Sequence, residues 1–324
     1  MERTSPPTTD SARPWTLTDG HAGNVRQARA LMKELDAGEA REWVLQPRAP
    51  WRWAAPRLWP GSTQAFGSAF AAALRTPPPL AVGCGRQAAL ATRLLRGRGS
   101  KAVQILAPRI DPMHWDVVIA PAHDGLRGRN IITLTGSLNP VDDTWLADAR
   151  LQFATFAHLP SPRTAVLLGG DSAHARFDPA AFLALAADLD AVLAREGGSV
   201  LVTTSRRTPR QVIDAVRQRY AATPGIVWCG EHDGPNPYPG LLAWADRIVC
   251  TPDSVNMLSE ACATRVPVHV FDPHRVSGRP RRFLDALLQR GRIRVMDGAL
   301  QAFDVEPLRE TARVAAALRD RLAP

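Results

Sequence analysis

Apolar and polar positions fall in short blocks along the chain, and the spacing within them alternates between two periods. Pro14 to Thr18 reads as a strand that runs straight into DGHAGN, and Val25 to Leu35 then keeps helical spacing through Ala28, Leu31, Met32 and Leu35. Glu42 to Leu45 predicts a second strand, and Thr63 to Leu74 a helix rich in Ala and Phe. Leu80 to Gly83 predicts a strand ending in GCGRQ, followed by a helix through Leu90, Leu94 and Leu95 that stops at Gly97. Val103 to Leu106, Asp116 to Ala120 and Ile131 to Leu134 continue the strands. Thr135 to Pro162 behaves as a join, with turn signals at Gly136, Asn139–Pro140 and Leu159–Pro160 around one helix near Trp145.

A second series starts at Thr164. Ala165 to Leu168 predicts a strand ending in Gly169–Gly170, Asp178–Pro179 opens a helix that stops at Gly197–Gly198, and Val200 to Thr203 is the next strand. SRRTP follows, with Thr208 as the expected N-cap and Pro209 at the first position of a helix to about Tyr220. Strands are predicted at Ile226–Trp228, Ile248–Cys250, Val268–Phe271 and Ile293–Val295, and a last amphipathic helix over about Pro307 to Leu322. Strands alternating with helices imply mostly parallel sheets covered on both faces. The chain is therefore expected to be α/β: a disordered lead over 1–13 and two Rossmann-like domains, 14–155 and 156–324, facing a central cleft of the kind that binds small molecules. The last helix is read as able to pack back on the first domain.

The most informative stretch is RIVCTPDSVNMLSEACATRVPVHVF, Arg247 to Phe271, which reads strand, turn, short helix, turn, strand. At about 100° per residue, Asp253, Asn256 and Glu260 share one stripe of the helix while Val255, Leu258 and Cys262 share the opposite one. The apolar stripe can pack on a sheet, and the polar stripe then lines the space above the carboxyl ends of the strands, where open α/β sheets bind ligands. A carboxylate there can hold a ribose diol, and the Asp253–Ser254 turn offers helix N–H groups to a phosphate. The plainer alternative is a capped surface helix whose Glu260 meets only water.

Other strand ends carry compatible chemistry. Asp19, Gly20, His21, Gly23 and Asn24 lie in the first βα turn and Gly85 and Arg86 in the third; Gly169, Gly170, Ser205, Arg206 and Arg207 join Asp253 and Ser254 in the second half. Glycine lets backbone N–H groups approach an anion, and paired arginines add charge-assisted bonds to a diphosphate. Several enzyme classes lack their signatures. There is no G-x-x-x-x-G-K-[ST], no G-x-G-x-x-G in the first turn, no Tyr-x-x-x-Lys pair and no G-x-S-x-G elbow. His114, His123, Asp111 and Asp124 have no metal-ligand spacing and read as loop polarity.

Composition adds limits. The 324 residues are 45% hydrophobic with a formal net charge of +9, and the only lysines are Lys33 and Lys101, so the charge is almost all arginine, the better fork for phosphate and carboxylate. The arginines are scattered, which makes nucleic acid an unexpected partner. Cys84, Cys229, Cys250 and Cys262 show no C-x-x-C spacing and are expected as reduced, mostly buried thiols. The polar, Pro-rich lead does not read as a signal peptide and no apolar run would span a bilayer, so a cytoplasmic protein, or one peripheral on the inner face of the membrane, is expected.

WTLTDGHAGNVRQA, LLGGDSAHARF, TTSRRTP and TPDSVNMLSEACATRVPVHVF, in that order and spread over Trp15 to Phe271, resemble the mitochondrial-fission "elongated mitochondria" family. That family in turn is similar to GT-B glycosyltransferases, in a layout like that of the enzyme that adds N-acetylglucosamine to the lipid-linked peptidoglycan precursor. The resemblance implies a nucleotide-sugar donor in the second domain, an acceptor in the first, no cofactor and no essential metal. It would give Glu260 the donor ribose and the SRR and DS loops the diphosphate. His21 is the candidate base for deprotonating an acceptor hydroxyl and Asp19 the runner-up, although both residue types are also ordinary in turns. The function expected is transfer from a nucleotide-activated sugar, with a membrane-associated glycolipid or cell-envelope precursor as candidate acceptor. The alternative is a non-catalytic adaptor of that family that keeps the fold, with or without its nucleotide site. PRAPWRWAAPRLWPG interleaves Trp51, Trp53 and Trp59 with Arg48, Arg52 and Arg57, which suits an anionic membrane surface if the tryptophans are exposed and a core wedge if they are not.

Overall fold

The computed structural model describes residues 13–172 and 174–323. The chain divides into two compact units: one runs to Pro140 and resumes at Glu310, the other spans Val141–Arg309. The expected disordered lead lies outside the described residues except for Arg13.

In the first unit β1 (Trp15–Thr18), β2 (Arg41–Val44), β3 (Leu80–Cys84), β4 (Lys101–Ile105), β5 (Val117–Pro121) and β6 (Ile131–Leu134) form a wholly parallel sheet in the order β2-β1-β3-β4-β5-β6. Its helices are α1 (Ala22–Glu34), α2 (Trp51–Ala54), α3 (Ser68–Ala73) and α4 (Arg86–Arg96). Both faces of the sheet are buried, and the period of two sorts side chains between them. Val82 packs with Leu31, Val103 and Ile119, while its neighbour Ala81 packs on the other side with Leu17, Phe70 and Leu90. The helix expected over Thr63 to Leu74 is split into a 3-10 turn, Ser62–Gln64, and α3, because Gly67 between them sits at φ 88°, a left-handed conformation no α-helix can pass through. Helix α1 begins at Ala22, three residues before the expected start, so DGHAGN is partly helix.

In the second unit β7 (Arg163–Leu168), β8 (Ser199–Thr204), β9 (Gly225–Trp228), β10 (Arg247–Cys250), β11 (Val268–Val270) and β12 (Arg294–Val295) form another wholly parallel sheet, ordered β12-β11-β10-β7-β8-β9. Its helices are α5 (Asp143–Gln152), α6 (Pro179–Glu196), α7 (Arg210–Arg219), α8 (Tyr238–Trp244), α9 (Val255–Cys262) and α10 (Gly278–Gln289). Ala165 and Leu167 face α8 and α9, whereas Val166 and Leu168 face α6 and α7. Asp178 caps α6 by accepting from the Ala181 N–H at 2.8 Å, with Pro179 at the first position. The cap of α7 is Pro209 and not Thr208, because the Thr208 hydroxyl is spent elsewhere, accepting from Ser205 N–H at 2.9 Å in its own loop and donating to the Gly169 carbonyl in the loop after β7.

The division between the units falls at Val141, not at 155/156: α5 packs against α8 and so belongs with the second sheet. The last helix, α11 (Thr311–Leu322), starts later than expected and packs in the first unit, where Val314 and Leu318 join the cluster of α1 and β3 to β6.

Candidate functional site

Each sheet has one switch point, where successive connections leave in opposite directions, and ligands of open α/β sheets bind outside the carboxyl ends of the strands there. In the second unit it lies between β7 and β10. The loops that leave these strands are Gly169–Gly170 and Thr251–Ser254, with Ser205–Thr208 beside them after β8. The sequence-expected residues are brought together here, and their hydrogen bonds say what each does. Asp253 is 8% exposed; its carboxylate accepts from Gly170 N–H at 3.0 Å, from the Thr251 hydroxyl at 2.7 Å and from Arg207 at 2.8 Å. Arg207 also donates to the Gly170 and Asp171 carbonyls at 3.1 and 3.0 Å. A β-carbon on Gly169 would overlap the Asp253 carboxylate, and one on Gly170 the Arg207–Thr208 peptide. The two glycines, Asp253 and Arg207 therefore lock three loops to one another. Arg206 instead is exposed and has no hydrogen bond or ion pair among the described residues.

Ser254 is the N-cap of α9, accepting from Met257 N–H at 3.4 Å, and Asn256 is half-buried in the first turn. Glu260 is 2% exposed, which removes the reading of a surface helix whose carboxylate meets only water. Its Oε2 accepts a 2.6 Å hydrogen bond from the Tyr238 hydroxyl, which is itself buried. Sequence reasoning missed Tyr238: it opens α8, a seven-residue helix that carries Pro239 and Gly240 and shows no clear period.

In the first unit the switch point lies between β1 and β3, and the loops leaving them hold Asp19–Gly20–His21 and Gly85–Arg86. Asp19 Oδ1 lies 3.0 Å from His21 Nδ1 and accepts from the Asn24 side chain at 2.9 Å and from His21 N–H at 3.1 Å. With Nδ1–H directed at a carboxylate, Nε2 of a neutral His21 is left as the acceptor nitrogen. The imidazole is 76% exposed, open to a reactant. His21 caps α1 and Gly85 caps α4 without side-chain bonds, and Gly23 lies in the first turn of α1. Gly85 (φ 91°) passes so close to Asn24 that a β-carbon would sit 2.8 Å from its amide nitrogen. Burial and the neighbouring Asp19 hold the Cys84 thiol well above its usual pKa, so it stays a neutral neighbour of this loop.

Arg86 is turned toward the tryptophan-rich loop, donating to the Ala55 carbonyl at 2.7 Å and to the Trp53 carbonyl, and Arg93 donates to Pro56 at 2.7 Å. Helix α4 thus pins this loop through its carbonyls. Trp51 is half-buried with its indole N–H on the Pro60 carbonyl at 3.0 Å, whereas Trp53 is 65% and Trp59 51% exposed. No helix among the described residues is long and apolar enough to cross a membrane.

Two parallel α/β units, each with its candidate loops at its own switch point, define a GT-B-like fold, the architecture of many sugar-nucleotide glycosyltransferases and epimerases. The chain belongs to the Mitochondrial fission ELM1 family, whose model matches residues 22–322. It is 31% identical over 277 residues to mitochondrial fission protein ELM1 of Arabidopsis thaliana, covering 76% of this chain and 64% of that one, so it spans under two thirds of that relative's length. Among solved structures it is similar to UDP-GlcNAc 2-epimerase from Methanocaldococcus jannaschii, with a TM-score of 0.58 and 11% identity over 95% of this chain and 99% of that chain. A structure of that epimerase in complex with UDP-GlcNAc and UDP gives a TM-score of 0.53. The S. aureus MnaA–UDP co-structure gives 0.51 with 11% identity, over 95% of this chain and 88% of that chain.

Proposed function

We propose that this protein is a metal-independent glycosyltransferase that takes its sugar from a nucleotide-activated donor. The observation that carries the reading is the coincidence, in both units, of the chemically apt loops with the switch point of the sheet. In the second unit the donor's diphosphate would meet Arg206 and the first N–H groups of α9 after Ser254, beside Gly169 and Gly170, whose own N–H groups go to Thr251 and Asp253 and whose lack of a side chain lets the loops that Asp253 and Arg207 hold rigid close up. Glu260, with Asn256 on the same helix, would receive the ribose diol, the Tyr238 phenol handing over its hydrogen bond as the diol arrives. Solved structures of similar fold contain UDP or UDP-GlcNAc, which supports a nucleotide sugar as the ligand class.

In the first unit His21 would act as base. Nε2 takes the proton of the acceptor hydroxyl, the oxygen bonds to the anomeric carbon, and the bond from that carbon to the diphosphate breaks, its electron pair leaving with the nucleoside diphosphate. Asp19 holds the imidazole in the competent tautomer and balances the charge it acquires. Gly20, Gly23, Asn24 and Gly85 would shape the acceptor side of that loop. The acceptor we favour is a membrane-associated glycolipid or cell-envelope precursor, because Trp53 and Trp59 stand exposed beside Arg52 and Arg57.

One observation favours the non-catalytic adaptor instead: the Glu260 carboxylate already has a buried partner. A thermal-shift screen against UDP-, GDP-, ADP- and CMP-sugars finds the donor, and turnover of that donor separates the two. A donor at about 100 times its Kd adds roughly 2.7 kcal/mol to stability, and release of nucleoside diphosphate from that donor marks the enzyme. No shift with any of them would leave the adaptor.

A further inference from the structure

A cavity of about 580 Å³ opens in the second unit, lined by Ser172, His174, Ala175, Arg176, Arg275 and Ser277. It begins two residues beyond Gly170, and its other wall follows β11, so it borders the switch point on the side away from Ser205 and Arg206. Its chemistry is that of an anion site. Arg176 is exposed and makes no hydrogen bond or ion pair among the described residues. Arg275 gives Nε to Asp272 at 3.0 Å and keeps both Nη groups uncommitted among the described residues. His174 Nδ1 lies 2.9 Å from Arg281 Nη1; arginine only donates, so Nδ1 accepts and Nε2 carries the proton, a further donor.

The segment behind the cavity is set against its own electrostatics. Ser277 is the N-cap of α10 and makes no side-chain cap bond, and the first turn holds no acidic residue. Arg279, Arg281 and Arg282 stand there instead, at the positive end of the helix dipole, where cations are unfavourable and an anion is favoured. Asp285 pairs with Arg281 at 2.8 Å.

The Arg206 side of the diphosphate site and the cavity lie on opposite sides of the switch point. The cavity adjoins the β7 loop, but its Arg275–Ser277 wall follows β11, three strand spacings or about 14 Å from β8 and Arg206, so one phosphate or carboxylate does not reach both. We propose that the cavity is a second anion subsite, which takes a carboxylate or phosphate carried on the sugar of the donor, so that the donor class is an acidic sugar nucleotide. The donor assignment rests on the proposed function; the anion subsite itself can be tested without it.

The test is calorimetry with matched pairs that differ only in the acid group, UDP-glucose with UDP-glucuronate and GDP-mannose with GDP-mannuronate, on the wild type and an Arg176→Gln/Arg275→Gln variant shown to be folded by circular dichroism. The acidic member should bind the wild type about tenfold or more tightly than its neutral sibling, as bonds to charged groups imply, and the variant should bind both alike with neutral-sugar affinity unchanged. Equal affinities within a pair on the wild type would overturn the subsite and leave the proposed function standing. If no sugar nucleotide binds, the proposed function and the donor class fall, and inorganic phosphate decides the rest. Thermal stabilisation of the wild type by phosphate that Arg176→Gln loses keeps the anion subsite, and no such difference overturns it too.

Discussion

At the scale of single residues, adjacent arginines have opposite tasks. Arg207 bonds two carbonyls and a buried carboxylate, and Arg206 bonds nothing among the described residues. Arg206→Ala should therefore leave the thermal midpoint in place and weaken diphosphate binding by about 1.5–3 kcal/mol, the range for hydrogen bonds to charged groups. Arg207→Ala should lower stability by about 1–3 kcal/mol, because the buried Asp253 carboxylate keeps its bonds from Gly170 and Thr251 but loses its cation. Chemical denaturation and nucleotide titration of the two variants check both; equal losses in both measurements would refute this division. Glu260→Ala should weaken nucleotide binding by about 1.5–3 kcal/mol, and full-strength binding in calorimetry would take Glu260 out of the site. The arginine pair is legible as SRR in the sequence, but which of the two faces a ligand is not. That depends on Asp253, a partner 46 positions away from Arg207 that only the folded sheet brings near.

At the scale of elements, strands are the legible part, since a parallel sheet buried on both faces needs unbroken runs such as VLL and LVTT. Helices opened by arginine, proline or glycine are not: α10 starts Gly-Arg-Pro-Arg-Arg before Phe283, Leu284 and Leu287 bury, and α8 contains Pro239 and Gly240. Strand β11 carries a further feature that its sequence does not announce. His269 is 2% exposed, neither ring nitrogen has a hydrogen-bond partner, and its ring packs edge-on against Phe303 with centroids 5.6 Å apart. Burial pushes its pKa down to about 4, with Arg247 and Arg294 acting in the same direction and Asp297 opposing. The unfolded chain then takes up the proton first, near pH 6.5, and the folded one only near 4. Stability at neutral pH is unaffected by this group and is lost as pH falls from about 6.5 to about 4, by up to roughly 3 kcal/mol. Urea denaturation of the wild type and a His269→Phe variant at pH 7 and pH 5 tests this. The variant should lose less stability on acidification, and identical losses would show that His269 does not contribute.

At the scale of the whole molecule, the +9 charge matters most where it meets exposed apolar surface. The large exposed apolar side chains among the described residues are Val44, Trp53, Leu58, Trp59, Met113, Leu151, Leu183 and Val295, and half of them fall between residues 44 and 59. Single exposed apolar residues need no explanation; a run of them does. Arg48, Arg52 and Arg57 are exposed in the same loop, and no acidic residue intervenes. Helix α2 is only four residues long, so Trp53 and Trp59 project from a loop and not from a surface-lying rod. Because α4 holds the loop by its carbonyls, exposing these side chains on a membrane costs little further ordering. Tryptophan partitions to the headgroup level and each nearby arginine adds about 1 kcal/mol of attraction to anionic lipid, screened within about 10 Å at moderate salt. The protein should therefore sediment with phosphatidylserine-containing liposomes, remain in solution with neutral ones, and release as salt is raised. Trp53→Ser/Trp59→Ser is the decisive variant. Trp51 is unsuitable, since its indole bonds Pro60 and packs on the core, and replacing it would disturb the loop itself. A folded Trp53/Trp59 variant that still sediments like the wild type, or wild-type binding indifferent to lipid charge, would assign the patch to another partner and make a soluble acceptor the better reading.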